Sequence, residues 1–224
     1  MKRVPQEEWL DSDSGTPEEI AASLNDLKTI NTKFGGAATT EAMIRRVAAR
    51  TGQQSFSVLE VAAGAGHTPQ LVQKRLRPVE LHYTLLDRAA SHLGNGSSGF
   101  AQISGDALAL PLADDSYDIV SCNLFVHHLS PEQFVVFARE GLRVCRTAFL
   151  INDLVRSPLH LALVYAGIPL FNSRLTRHDA PASVRQAYVP DEMITMLKQT
   201  SAAHVDIQLH YLYRMGVIAW KQYV

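Results

Sequence analysis

Residues 58–69 read VLEVAAGAGHTP, an apolar run that carries one carboxylate, Glu60, into a loop of alanines and glycines ending on Thr68 and Pro69. Gly64 and Gly66 leave the backbone bare, so a ligand can lie directly against it. Thr68 followed by Pro69 predicts a helix N-cap and first helical residue, whose free N–H groups suit a carboxylate. A dinucleotide loop, G-x-G-x-x-G, wants Gly or Ala three residues beyond Gly66, and Pro69 stands there. A pyrophosphate cradle is therefore not expected, and a nicotinamide-dependent oxidoreductase is the weaker reading. For proton transfer the chain offers His127 and His128 in NLFVHHL, and His178 beside Asp179. Neighbours in sequence seldom face each other, so the His178–Asp179 pair reads equally well as a solvated basic loop. Cys122 and Cys145 lie in apolar runs, as buried free thiols do.

These residues need elements to position them. From residue 56 onward, short β-branched and aromatic runs (SFSVLEV, ELHYTLL, GFAQIS, SYDIVSCNL, RVCRTAFLI) alternate with the helical stretches QLVQKRLR and PEQFVVFAREGLRV. Strand, helix, strand in this order predicts a mostly parallel sheet covered on both faces, a doubly wound α/β fold. The tail, HVDIQLHYLYRMGVIAW, predicts an antiparallel hairpin turning around residues 212–216. Two segments stand outside the alternation. Residues 16–34 predict a helix capped by Thr16 and Pro17, with Ile20, Leu24, Leu27 and Ile30 on one face and a stop at Gly35–Gly36. Residues 154–190 predict a long irregular insertion with Pro158, Pro169, Pro181 and a basic cluster, and such insertions are commonly lids. We therefore expect a helical extension over 1–50, a main domain over 51–224 and a substrate cap over 154–190.

The loop after the first strand resembles the first motif of class I S-adenosylmethionine-dependent methyltransferases. The resemblance runs in order from residue 56 to about 130, through VLEVAAGAG, LHYTLLD, GDALALPLADDSYDIV and NLFVHHL, and the hairpin extends it to the C-terminus. It implies a seven-stranded Rossmann-like sheet and S-adenosylmethionine as cofactor. Carried over residue by residue, Glu60 is the motif's acidic residue, and Ala62, Gly64 and Gly66 form the loop under the methionine portion. Asp87, followed by Arg88, takes the place of the carboxylate that accepts from both ribose hydroxyls. Asp106 stands near the adenine amine, with the Ala107 N–H toward a ring nitrogen and Leu108 against the ring. Asn123, ending the fourth strand, completes the expected cofactor site. His128 and His178 are the expected catalytic residues. Metal-assisted relatives set ligands where Asn123, Asn152 and Asp153 stand here; a neutral Asn is a poor first ligand for magnesium, so no metal is expected.

A net charge of −1, without long basic or acidic runs, argues against nucleic acid and anionic membranes as partners. No apolar stretch is long enough to span a bilayer, and the N-terminus lacks an apolar signal core, so a soluble, cytoplasmic protein is expected. The apolar run LALVYAGIPLF, with Tyr165 and Phe171, suits a hydrophobic or aromatic small-molecule acceptor. The reading is O-methylation of a phenolic or polyketide-like compound in secondary metabolism, by a monomer or homodimer. A methyltransferase-like binding protein without turnover is the alternative from another class.

Overall fold

The computed structural model describes residues 1–12, 14–89, 93 and 99–222. Helix α1 (Pro17–Lys33) starts where Thr16 predicted: the Thr16 hydroxyl accepts from the Glu19 N–H, and the Glu19 carboxylate accepts from the Thr16 N–H. The helix ends just before Gly35–Gly36, as expected, but a new helix starts at once. Gly35 adopts φ 84° and caps a second helix, α2 (Gly36–Thr51), which the sequence reading did not separate. Met43, Ile44 and Val47 of α2 are buried against the sheet, so the second half of the extension belongs to the core.

The sheet alternates with helices as expected: β1 (Ser55–Val61), α3 (His67–Arg75), β2 (Glu80–Asp87), β3 (Ala101–Ser104), β4 (Tyr117–Asn123), α4 (Pro131–Val144) and β5 (Cys145–Leu154). A short 3-10 turn, Val126–His128, follows β4. The insertion that was expected to be irregular is mostly helical: α5 (Pro158–Gly167), a 3-10 turn (Ile168–Leu170) and α6 (Arg174–Gln186). Its prolines misled the reading because Pro158 and Pro169 sit at turn or helix starts, where no N–H is needed. Pro181 lies inside α6, held there by burial of Leu175, Ala182 and Val184. α7 (Pro190–Leu197) leads into β6 (His204–His210) and β7 (Arg214–Trp220).

The seven strands run β3-β2-β1-β4-β5-β7-β6, parallel except that β7 is antiparallel to both neighbours. The hairpin turns at residues 211–213, earlier than expected. Gly216 lies inside β7, where an added Cβ would meet Met43 Sδ at 3.1 Å, so glycine serves close approach of α2 rather than a turn. One apolar cluster, with Phe134, Phe137, Phe149 and Met193, covers one face, and a second, with Ile44, Val58, Val72 and Ile119, covers the other. Adjacent Ile119 and Val120 of β4 point into opposite clusters. Because β2 and β4 flank β1 and the connections diverge there, the carboxyl ends of β1 and β4 form the topological switch point, where ligands bind in such sheets.

Candidate active site

The loop leaving β1 turns through positive φ at Ala62 (54°), Gly64 (49°) and Gly66 (71°). Ala62 is strained in this region, whereas the glycines are at ease. An added Cβ on Gly64 would meet nothing within 4 Å, so the loop faces open space there. Its Gly64 N–H donates to Asp87 Oδ2 at 3.0 Å, and the Ala89 N–H donates to Oδ1 at 3.1 Å. The end of β2 is thereby stitched to the β1 loop, with the carboxylate held in a fixed orientation at the crevice. Helix α3 begins one residue before Thr68, capped by Gly66, so Thr68 is not the N-cap that was expected. Left-handed Gly66 turns the chain into the helix early, and Pro69 is tolerated within its first turn. The Thr68 hydroxyl accepts instead from Asn123 Nδ2 at 3.2 Å.

Glu60 is buried beneath the loop, where Ser121 donates to it, and burial pushes its carboxyl up to about 7. Asp106 is exposed, its Oδ1 accepting from the Leu108 N–H at 2.9 Å, while Ala107 is buried and Leu108 half-buried. Arg88 is exposed just past β2. Asn123 joins a polar cluster invisible in the sequence. Its Oδ1 accepts from Arg214 Nη1 at 3.3 Å, and Asn31 Oδ1 of α1 accepts from Arg214 Nη2 at 3.0 Å and Asn123 Nδ2 at 3.3 Å. Burial pulls the Arg214 guanidinium down to about 10, against the pull of Asp153. The cluster ties α1 across the carboxyl end of β4 and the amino end of the antiparallel β7.

A family model described as a methyltransferase domain matches residues 59–148. This stretch runs from β1 through the loop, Asp87 and Asp106 to β5. The chain belongs to the class I S-adenosylmethionine-dependent methyltransferases. An uncharacterized methyltransferase of Bacillus subtilis (strain 168), YcgJ, is 30% identical over 157 residues, which make up 67% of this chain and 58% of that protein. The chain thus spans less than two thirds of that relative. Among solved structures, the plantazolicin methyltransferase BamL, bound to S-adenosylhomocysteine, aligns with a TM-score of 0.69 at 13% identity, covering 92% of each chain. An S-adenosylmethionine-dependent methyltransferase from Archaeoglobus fulgidus gives 0.59 at 15% identity over 86% of this chain and 98% of its own. At such identities the structural likeness speaks for the fold. S-adenosylmethionine is the cofactor of this family, and the residues present fit it: a bare loop facing open space, a carboxylate fixed beside it, and the Ala107–Leu108 edge.

The histidines of this methyltransferase divide into two settings. His127, buried after β4, has Nδ1 2.7 Å from Asp153 Oδ1 and Nε2 3.5 Å from Glu8 Oε1. Burial disfavours its charged form, but the carboxylates of Asp153 and Glu8 outweigh burial and push it up to about 10. Half-buried His128 has Nδ1 2.9 Å from Asp11 Oδ2. His178 stacks on Trp9 with ring centroids 3.8 Å apart, and its Nδ1 lies 2.8 Å from Asp179 Oδ1. The sequence neighbours His178 and Asp179 do face each other, because Asp179 is also held by the Trp9 and Leu10 N–H groups at 2.9 and 3.0 Å. Gln6 Nε2 lies 3.2 Å from the second ring nitrogen of His178, so both nitrogens are engaged in fastening the N-terminal segment to α6. Asn152 and Asp153 do not act as one ligand pair: Asn152 Nδ2 donates to Gly36 O at 2.7 Å and Thr40 Oγ1 at 2.9 Å, while Asp153 serves His127. Glu8, Asn31, Ser121 and Arg214 escaped the sequence reading, since each reaches its site from a distant segment; the His127–His128 doublet was the only local signal nearby.

Proposed function

We propose that this chain transfers the methyl group of S-adenosylmethionine to an oxygen of a small phenolic or polyketide-like acceptor. The observation that carries the reading is the bare β1 loop joined through the Gly64 N–H to Asp87. When bound, the sulfonium supplies an activated methyl: the C–O bond forms as the C–S bond breaks, the electron pair stays on sulfur, and the acceptor oxygen releases its proton. Asp87 would hold the ribose hydroxyls, Ala107 and Leu108 the adenine, and Asn123 and Thr68 would border the methionine portion.

The protein's task in such a displacement is alignment and exclusion of water, worth roughly 7 to 11 kcal/mol of barrier in well-oriented cases. The two segments outside the core suit that task, because α1 and α6 are joined over the crevice side: Ser23 Oγ lies 3.0 Å from Thr176 Oγ1, and Asp26 accepts from the N–H groups of Asn172 and Ser173 at 2.9 and 3.0 Å. An apolar acceptor is favoured by α5 and its following turn, where Leu159, Leu163, Tyr165 and Leu170 are exposed. Small-molecule methylation also fits the names of structural neighbours, such as the plantazolicin and magnesium protoporphyrin IX methyltransferases. Of the two histidines expected to take the proton, His128 is better placed, since His178 has both ring nitrogens engaged.

Incubation of the protein with S-adenosylmethionine and a panel of phenols, followed by mass spectrometry, tests this. Formation of S-adenosylhomocysteine together with a methylated phenol is expected. Tight cofactor binding with no turnover across the panel would overturn the assignment of the acceptor.

A further inference from the structure

Glu8, His127 and His128 come together from the N-terminal segment and the turn after β4, and one ligand atom from each lies within 4.8 Å of the others. We propose that these side chains bind a divalent transition-metal ion of the zinc class. Each histidine has Nδ1 turned to a carboxylate, His127 to Asp153 at 2.7 Å and His128 to Asp11 at 2.9 Å. That contact leaves Nε2 of each ring as the ligand nitrogen and fixes the ring's orientation, the arrangement in which a metal-binding histidine donates its other N–H to a carboxylate. The Glu8 carboxylate is fixed as well, its Oε1 accepting from Ser183 Oγ at 2.6 Å and Gln186 Nε2 at 2.7 Å.

The spacing favours an ion over a direct contact. Nε2 of His127 stands 3.5 Å from Glu8 Oε1. Charge-assisted hydrogen bonds close to about 2.7–2.9 Å. Two nitrogen or oxygen ligands at about 2.0–2.2 Å from a tetrahedral zinc stand about 3.4 Å apart. Glu8 and His127 are buried, so bulk water does not compete with an ion there; binding displaces the Nε2 proton of His127, while the 21% exposed side chain of His128 leaves a route to the site. Two imidazoles and one carboxylate suit zinc, cobalt or nickel better than magnesium, and three protein ligands leave the fourth position open. This set differs from the Asn123, Asn152 and Asp153 positions on which the expectation of no metal rested; here Asp153 supports a ligand instead of being one. With His128 committed to the ion, an acceptor hydroxyl in the open position would be polarised toward loss of its proton, a consequence that rests on the methyl-transfer reading above.

The test is binding, not turnover, so its failure leaves that reading intact. Full-length protein stripped with a chelator is titrated with zinc by calorimetry and with cobalt by visible absorption. One ion per chain at micromolar affinity or tighter is expected, with the intense cobalt bands of a four-coordinate site. Glu8→Gln and His128→Asn should each weaken binding at least about tenfold, and Asp153→Asn, acting through His127, about 10- to 100-fold. If the buried Asp153 variant fails to fold, His128→Asn, altered at a half-exposed position, still decides. Wild-type binding no tighter than that of His128→Asn, or none at these concentrations, overturns the proposal.

Discussion

At the scale of single residues, two carboxylates near the crevice do different work. Asp87 accepts from the Gly64 and Ala89 N–H groups, each through one oxygen, which fixes its carboxylate at the crevice. Asp87→Ala should weaken binding of S-adenosylhomocysteine by about 1–3 kcal/mol, through lost charge-assisted bonds and a loosened loop. Calorimetric titration measures this, and an unchanged affinity would count against the ribose role. Glu60 is inside the sheet, and burial raises its carboxyl from the ordinary 4.5 to about 7. Between those values the folded protein keeps a proton that the unfolded chain has lost. This group therefore makes stability fall as pH rises from about 4.5 to 7, by on the order of 3 kcal/mol. Glu60→Gln should flatten that part of the stability curve. Denaturant unfolding of both proteins across the range would show parallel slopes if the idea is wrong.

At the scale of elements, α1 is unusual in how it is held. The stripe of Ile20, Leu24, Leu27 and Ile30, which the helical spacing picked out, is only half-buried. The buried residues of α1 are Ser23, Asp26 and Asn31, all polar and all hydrogen-bonded to other elements. Polar contacts exchange readily with water at a small net cost, whereas an apolar face resists leaving the core. We propose that this helix lifts as a lid, while Gly35 keeps its base fixed: a Cβ there would come within 1.6 Å of Tyr211 O. We expect amides of α1 to exchange with deuterium faster than those of α2 and β1, and S-adenosylhomocysteine to slow exchange in α1 more than in α2. Equal protection of both helices, with and without this ligand, would refute a lid role. The following helix, α2, escaped the sequence reading because two adjacent glycines read as a stop; only its docking on β5 and β7 reveals a second helix starting in the same turn.

At the scale of the molecule, the N-terminal segment acts as a strap across parts that are remote in sequence. Arg3 donates to the carbonyls of Gln186, His127 and Leu129 at 2.6–2.8 Å, Glu8 meets His127 and Ser183, and Trp9 stacks on His178. Among the described residues no helix is long and apolar enough to cross a membrane. The sheet and the bare loop after β1 were legible from the sequence because their causes are local. Alternating β-branched runs specify strands, paired glycines permit a turn through positive φ, and Asp87 and Asp106 follow their strands at short range. The site that surrounds the chemistry was not legible, because it depends on which distant segments meet. Neither the Arg214 cluster with Asn31 and Asn123 nor the meeting of Glu8 and Asp153 with the His127–His128 doublet follows from spacing in the chain. Each exists because folding removes these polar groups from water, and once buried they must find partners in one another.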